Sequence, residues 1–147
     1  MEIAAFILSI ISIIAASGLA VWQIVSTIKI NKVNMKSYAY QEIFDKYLIY
    51  EIPQNRKYIQ FNKKGTFIGP EKLIQTLQNL LRDSLYFRYS KKNFYNKLRL
   101  DIQELEDLLV KNNNKVYDSI EQPTILNEID EKMEAIYNLI EEKRLKG

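Results

Sequence analysis

Residues 3–28 read IAAFILSIISIIAASGLAVWQIVSTI, 26 positions between Glu2 and Lys29 with no charged side chain. A helix rises about 1.5 Å per residue, and the hydrocarbon core of a bilayer is about 30 Å thick. Ile3 to Ile28 is therefore long enough to cross a membrane with tilt or overhang to spare. A secretory signal peptide would open on basic residues and stop at a small-residue cleavage site. Here the start is Met1-Glu2, and although Ala15-Ala16-Ser17-Gly18 imitates such a site, the apolar run continues through Val21, Trp22, Ile24, Val25 and Ile28. A helix buried in a soluble domain is not apolar all round for so long. The expectation is a retained transmembrane helix over residues 1–30, followed by a helical domain over 31–147.

The flanks predict the orientation. Lys29, Lys32 and Lys36 follow the apolar run, with no acid before Glu42. The positive-inside rule places that end in the cytoplasm, and Trp22 near the same end suits a ring lying among headgroups. Trp22, Lys29, Lys32 and Lys36 are thus the expected membrane-interface residues of a single-pass inner-membrane protein, N-terminus out, with the bilayer as its first partner.

The apolar run has a polar side. Ala5, Ser9, Ser12, Ala16, Leu19, Gln23, Ser26 and Ile30 recur at steps of four and three, the stripe of a left-handed helix bundle. Facing lipid, these hydroxyls and the Gln23 amide would waste hydrogen-bonding groups. Copies of the helix would shelter them, so a homo-oligomer is predicted, with a tetramer as a guess at the number. Two accounts of the face Ser9, Ser12, Ala16, Leu19, Gln23, Ser26 and Ile30 stay open. It is a packing seam, with Ser12-xxx-Ala16-xxx-Ala20 letting helices approach closely, or it lines a pore that Leu19 or Ile30 constricts.

The remainder predicts an all-α domain with no strand alternation. Tyr40, Phe44, Tyr47 and Leu48 share one helix face. Pro53 ends that segment and starts a short helix toward Phe61, and 62–70 is a loop marked by Gly65 and Gly69. A helix over 71–89 should bury Leu73, Ile74, Leu77, Leu80, Leu81 and Leu85. Another, capped by Ser90 and reaching about Lys111, should bury Phe94, Leu98, Ile102, Leu105, Leu108 and Leu109. A last helix over 124–146 carries Leu126, Ile129, Met133, Ile136 and Ile140, spaced to pack on the domain or on another subunit.

The chain has neither histidine nor cysteine. That removes histidine general-base catalysis, thiol nucleophiles and the usual zinc and haem ligands. The acidic groups Glu104, Glu106, Asp107 and Glu128, Asp130, Glu131, Glu134 lie on helices, where a solvated face explains them. No enzyme, cofactor or metal is expected.

One stretch does point to a ligand. From Arg82 to Arg99 the chain carries Arg82, Arg88, Lys91, Lys92, Lys97 and Arg99 against one acid, Asp83, with Tyr86, Phe87, Tyr89, Phe94 and Tyr95 interleaved. Cations meet phosphates and rings meet bases in single-stranded nucleic acid recognition. The candidate ligand residues are Arg82, Tyr86, Arg88, Tyr89, Lys91, Lys92, Tyr95, Lys97 and Arg99. The plainer accounts are rings packed in a turn with solvated cations, or a basic patch resting on anionic lipid.

The layout resembles a group of small bacterial membrane proteins. The resemblance is carried by the apolar amino-terminal helix, the segment Tyr40-Gln41-Glu42-Ile43-Phe44-Asp45-Lys46-Tyr47, the Ile52-Pro53-xx-Arg56 element, Leu85-Tyr86-Phe87 and Phe94-Tyr95. Within that group it is similar to the membrane-channel partner of the Hailong nucleotidyltransferase system, an anti-phage defence effector. The resemblance implies an oligomeric ion channel held closed by a cytosolic DNA oligomer or nucleotide signal, made by a partner nucleotidyltransferase, and opened when the signal is destroyed. It brings no ligand residues with it. The alternative expectation is a membrane-anchored helical scaffold that recruits a cytosolic protein and conducts nothing.

Overall fold

The hydrophobic periodicity of residues 40–140 closes into one core. The computed structural model describes residues 19, 22–31 and 38–146. The chain divides into two compact units, Met1–Tyr38 and Ala39–Gly147. In the first unit, residues 22–31 form a helix, α1, with Leu19 also helical. Leu19, Trp22 and Ile30 are exposed there, Ser26 is half-buried, and Gln23 and Lys29 are exposed. No helix among the described residues is long and apolar enough to cross a membrane. Most of the expected span, with Ser9, Ser12, Ala16, Lys32 and Lys36, lies outside the described residues.

The second unit is mostly helical. Helix α2 is described over residues 38–56, and its middle, Phe44–Glu51, is wound as a π-helix. The Ile52 N–H donates to the carbonyl of Tyr47, five residues back. The cause lies just beyond. Pro53 has no N–H to give the carbonyl of residue 49, and its ring would collide with it in α geometry. Widening the turn relieves that collision, and Ile52–Arg56 resumes as α-helix with Pro53 in its first turn. Pro53 thus distorts the helix without ending it, contrary to the sequence expectation.

The expected loop after α2 contains two short strands, β1 (Gln60–Phe61) and β2 (Phe67–Ile68), paired antiparallel with Phe61 opposite Phe67. The segment before α6 joins them: Phe67 N–H donates to the Lys115 carbonyl at 2.8 Å, and Tyr117 N–H to the Gly65 carbonyl at 2.9 Å. Such short strands leave no alternation to read. Then come α3 (Glu71–Asp83), α4 (Leu85–Ser90), α5 (Lys92–Asn112) and α6 (Glu121–Lys146).

The buried set follows the spacing. Tyr47, Leu48 and Ile52 of α2, Leu73, Leu77 and Leu80 of α3, Leu98, Ile102, Leu105 and Leu109 of α5, and Ile129, Ile136 and Ile140 of α6 fill the core around Phe67. Ile74, Leu81, Leu108, Leu126 and Met133 pack at its margin. Leu85 is exposed, because the chain breaks at Ser84 and turns that residue outward. The apolar stripe of α6 is spent on its own domain. Tyr137 Oη donates to the Leu48 carbonyl at 2.6 Å, Arg56 pairs with Asp130 at 2.9 Å, and Lys132 with Glu104 at 2.6 Å.

Candidate anion-binding site

Phe87 and Phe94 stand seven residues apart. In an unbroken helix that is two turns, about 10 Å along the axis. Their ring centroids are 5.0 Å apart, and both meet Tyr40 of α2, Phe87 stacked at 4.4 Å and Phe94 edge-on at 5.1 Å. All three are buried. Gathering these rings requires the helix over 71–89 to break and turn. It breaks at Ser84, whose hydroxyl and N–H both bond the Leu80 carbonyl, and again at Lys91, which has extended φ. The six residues between become α4, laid beside the start of α5.

Where α4 lies beside α5 there is a groove of ≈ 520 Å³ lined by Arg88 and Tyr89 of α4 and Lys92, Tyr95, Asn96 and Arg99 of α5. The α5 positions recur at i, i+3, i+4 and i+7, one face of the helix. Three of the six lining residues are cations and none is an acid. Among the described residues Arg88, Lys92 and Arg99 make no ion pair; Arg88 lies 5.8 Å from the centre of the Tyr89 ring. Tyr89 is 85% exposed, whereas Tyr95 is buried to 8% and forms the floor. Uncompensated cations in a concave, half-apolar wall concentrate a positive potential. The arrangement suits an anion with a flat face, which the cations neutralise and the exposed ring stacks upon.

Five of the nine sequence candidates are therefore together: Arg88, Tyr89, Lys92, Tyr95 and Arg99. The other four are elsewhere. Lys97 donates to Asp101 at 2.6 Å, which holds its ammonium above the ordinary lysine range. Arg82 turns to its neighbour Asp83 at 3.4 Å. Tyr86 lies on the other side of α4, in a cleft of ≈ 320 Å³ with Ala39, Glu42, Ile43, Lys46, Tyr47, Asp83 and Phe87. Lys91 is exposed at the junction, outside the lining. A linear run of cations does not show the breaks at Ser84 and Lys91 that put Arg82 on α3, Arg88 on α4 and Lys92 on α5. Asn96 is the lining residue that the run missed. Its signal is positional, four residues after Lys92 and three before Arg99.

The cleft holding Tyr86 is electrostatically closed. Asp83 accepts from Lys46 at 2.7 Å and from Tyr47 at 2.5 Å. Those donors, Lys46 first, hold the Asp83 carboxyl below the usual range. Burial, then the bond to Asp83, pushes Tyr47 up to about 12. No group of three or more acidic residues among those described is placed to hold a metal ion. Glu104 is engaged by Lys132, and Glu106 is raised chiefly by burial. The chain matches no family model, no curated protein and no solved structure.

Proposed function

We propose that this chain is an oligomeric membrane ion-channel effector of bacterial anti-phage defence, gated by a nucleotide or DNA-oligomer signal that binds in the α4–α5 groove. The supporting observation is the groove itself: Arg88, Lys92 and Arg99 unpaired among the described residues, no lining acid, and Tyr89 free to stack. The membrane and oligomer parts rest on the sequence, on the 26 uncharged residues and on the polar stripe that runs along them. The mechanism is a population shift: the ligand binds one arrangement of the assembled helical domains better than the other and so biases the pore.

Planar-bilayer recording of the purified oligomer, with and without short single-stranded DNA, tests the reading. Conductance that responds to the oligonucleotide is expected. Arg88→Glu with Lys92→Glu should abolish the response and weaken binding. Wild-type binding should fall with salt at a slope of about 2 in log–log form, from three phosphate contacts at about 0.7 each on a single strand. Silent bilayers together with stable capture of a cytosolic protein would replace the channel with the scaffold. Binding that ignores salt and the double reversal would remove the groove as the sensor.

A further inference from the structure

The groove occupies one side of α4, and another side carries a contact that ligand binding alone does not use. There Phe87 is stacked on Tyr40 of α2, interplanar angle 19°. Asp83, the last residue of α3 before the Ser84 break, is bonded to Lys46 and Tyr47 further along α2. Helix α4 itself is six residues long, set off by non-helical residues at both ends. So short a helix has few internal hydrogen bonds to hold its own axis. Its position is therefore set by its neighbours, and on the Tyr40 side Phe87 also meets Phe94 of α5 at 5.0 Å.

On the groove side the influence is electrostatic. Arg88 on α4 shares the groove wall with Lys92 and Arg99 on α5, and like charges in one wall repel. A polyanion lying between them removes the repulsion and draws α4 onto α5. The ligand thus has a stronger interaction with the closed groove than with the open one, the condition for shifting a conformational equilibrium.

Resting on the reading that the groove binds an oligonucleotide, we propose that α4 is the relay between that site and α2. Closure of Arg88 and Tyr89 onto the ligand moves Phe87 with them, and Phe87 carries the change to Tyr40 and the turns of α2 around it. Loosening the Tyr40–Phe87 contact should then uncouple the two, so that the ligand still binds and no longer alters α2.

Amide hydrogen exchange on the full-length protein in lipid nanodiscs, with and without oligothymidylate, tests this. In wild type the oligonucleotide should slow exchange several-fold over 40–47 as well as over 85–99. Phe87→Leu and Tyr40→Leu should keep oligonucleotide binding near wild type, with protection over 85–99, and lose the protection over 40–47. Protection confined to 85–99 in wild type would overturn the relay, a measurement that stands even if neither variant folds. So would protection over 40–47 that persists in both folded variants. Absence of any oligonucleotide binding to wild type is a different result: it overturns the groove reading and the relay with it.

Discussion

Tyr89 and Tyr95 lie in one groove and do different work. Tyr89 is almost fully exposed, with Arg88 5.8 Å from its ring centre, whereas Tyr95 is part of the core. Base–aromatic stacking is worth about 1–3 kcal/mol per base. Tyr89→Ala should therefore weaken single-stranded DNA binding by about that amount, and Tyr89→Phe should leave it nearly intact, as read by fluorescence anisotropy. Thermal melting should barely distinguish the two, since exposed substitutions change stability by about 0.5 kcal/mol or less. Tyr47 makes the converse case, a buried residue with a titration to follow. Its phenol is raised from 10.0 to about 12 by burial and by the bond to Asp83. A group held protonated in the fold contributes stability below its unfolded value and loses it as pH rises through the folded one. Stability should thus fall between about pH 10 and pH 12. Lys46 is raised in the same sense, by its bonds to Asp83 and then Tyr47. Tyr47→Phe should flatten the alkaline slope of urea midpoints without removing it, because Tyr40, Tyr117 and Tyr137 are also raised by burial.

At the scale of elements, the small hairpin decides how α5 is joined to α6. Gly65 has φ +76°, and a Cβ there would strike the Tyr117 carbonyl. The same glycine accepts the Tyr117 N–H, and Thr66 bridges to Val116. Any other residue is strained twice, by its backbone and by the contact. Gly65→Ala should lower stability by more than about 1 kcal/mol, measured as a urea midpoint shift, where a glycine in ordinary backbone would gain slightly. The helices were legible because each turn supplied a buried residue: Leu98, Ile102, Leu105 and Leu109 announce α5 by spacing alone. The interruptions were not. Ser84 and Lys91 are ordinary residues, and the reason for the turn is a meeting of Phe87 and Phe94 with Tyr40, 47 and 54 positions earlier in the chain. The π-winding of α2 was half legible, since Pro53 signals trouble but not whether the helix stops or widens.

Across the whole molecule, net charge says little. Lys and Arg number 21 against 18 Asp and Glu, a balance of +3 that would not by itself draw a polyanion. The field is local, made when α4 and α5 bring three cations to one wall and ion pairs spend Lys46, Arg56, Lys97 and Lys132 elsewhere. Every buried apolar residue among those described lies at Tyr40 or beyond. A fragment of residues 39–147 should therefore fold without detergent and melt in one cooperative transition by circular dichroism, as single domains of this size do. A fragment that stays unfolded would mean that the helical domain draws its stability from the first unit.

The helical class, the core-facing side of each long helix, the uncharged amino-terminal run and the absence of histidine and cysteine chemistry were decided by sequence, because composition and periodicity act through near neighbours along the chain. Which cations share a site was decided by tertiary structure alone. The turn that makes α4 is fixed by rings distant in sequence, Phe87 and Phe94 meeting Tyr40. Only once α4 has folded back beside α5 do Arg88 and Tyr89 come to share one groove with Lys92, Asn96 and Arg99.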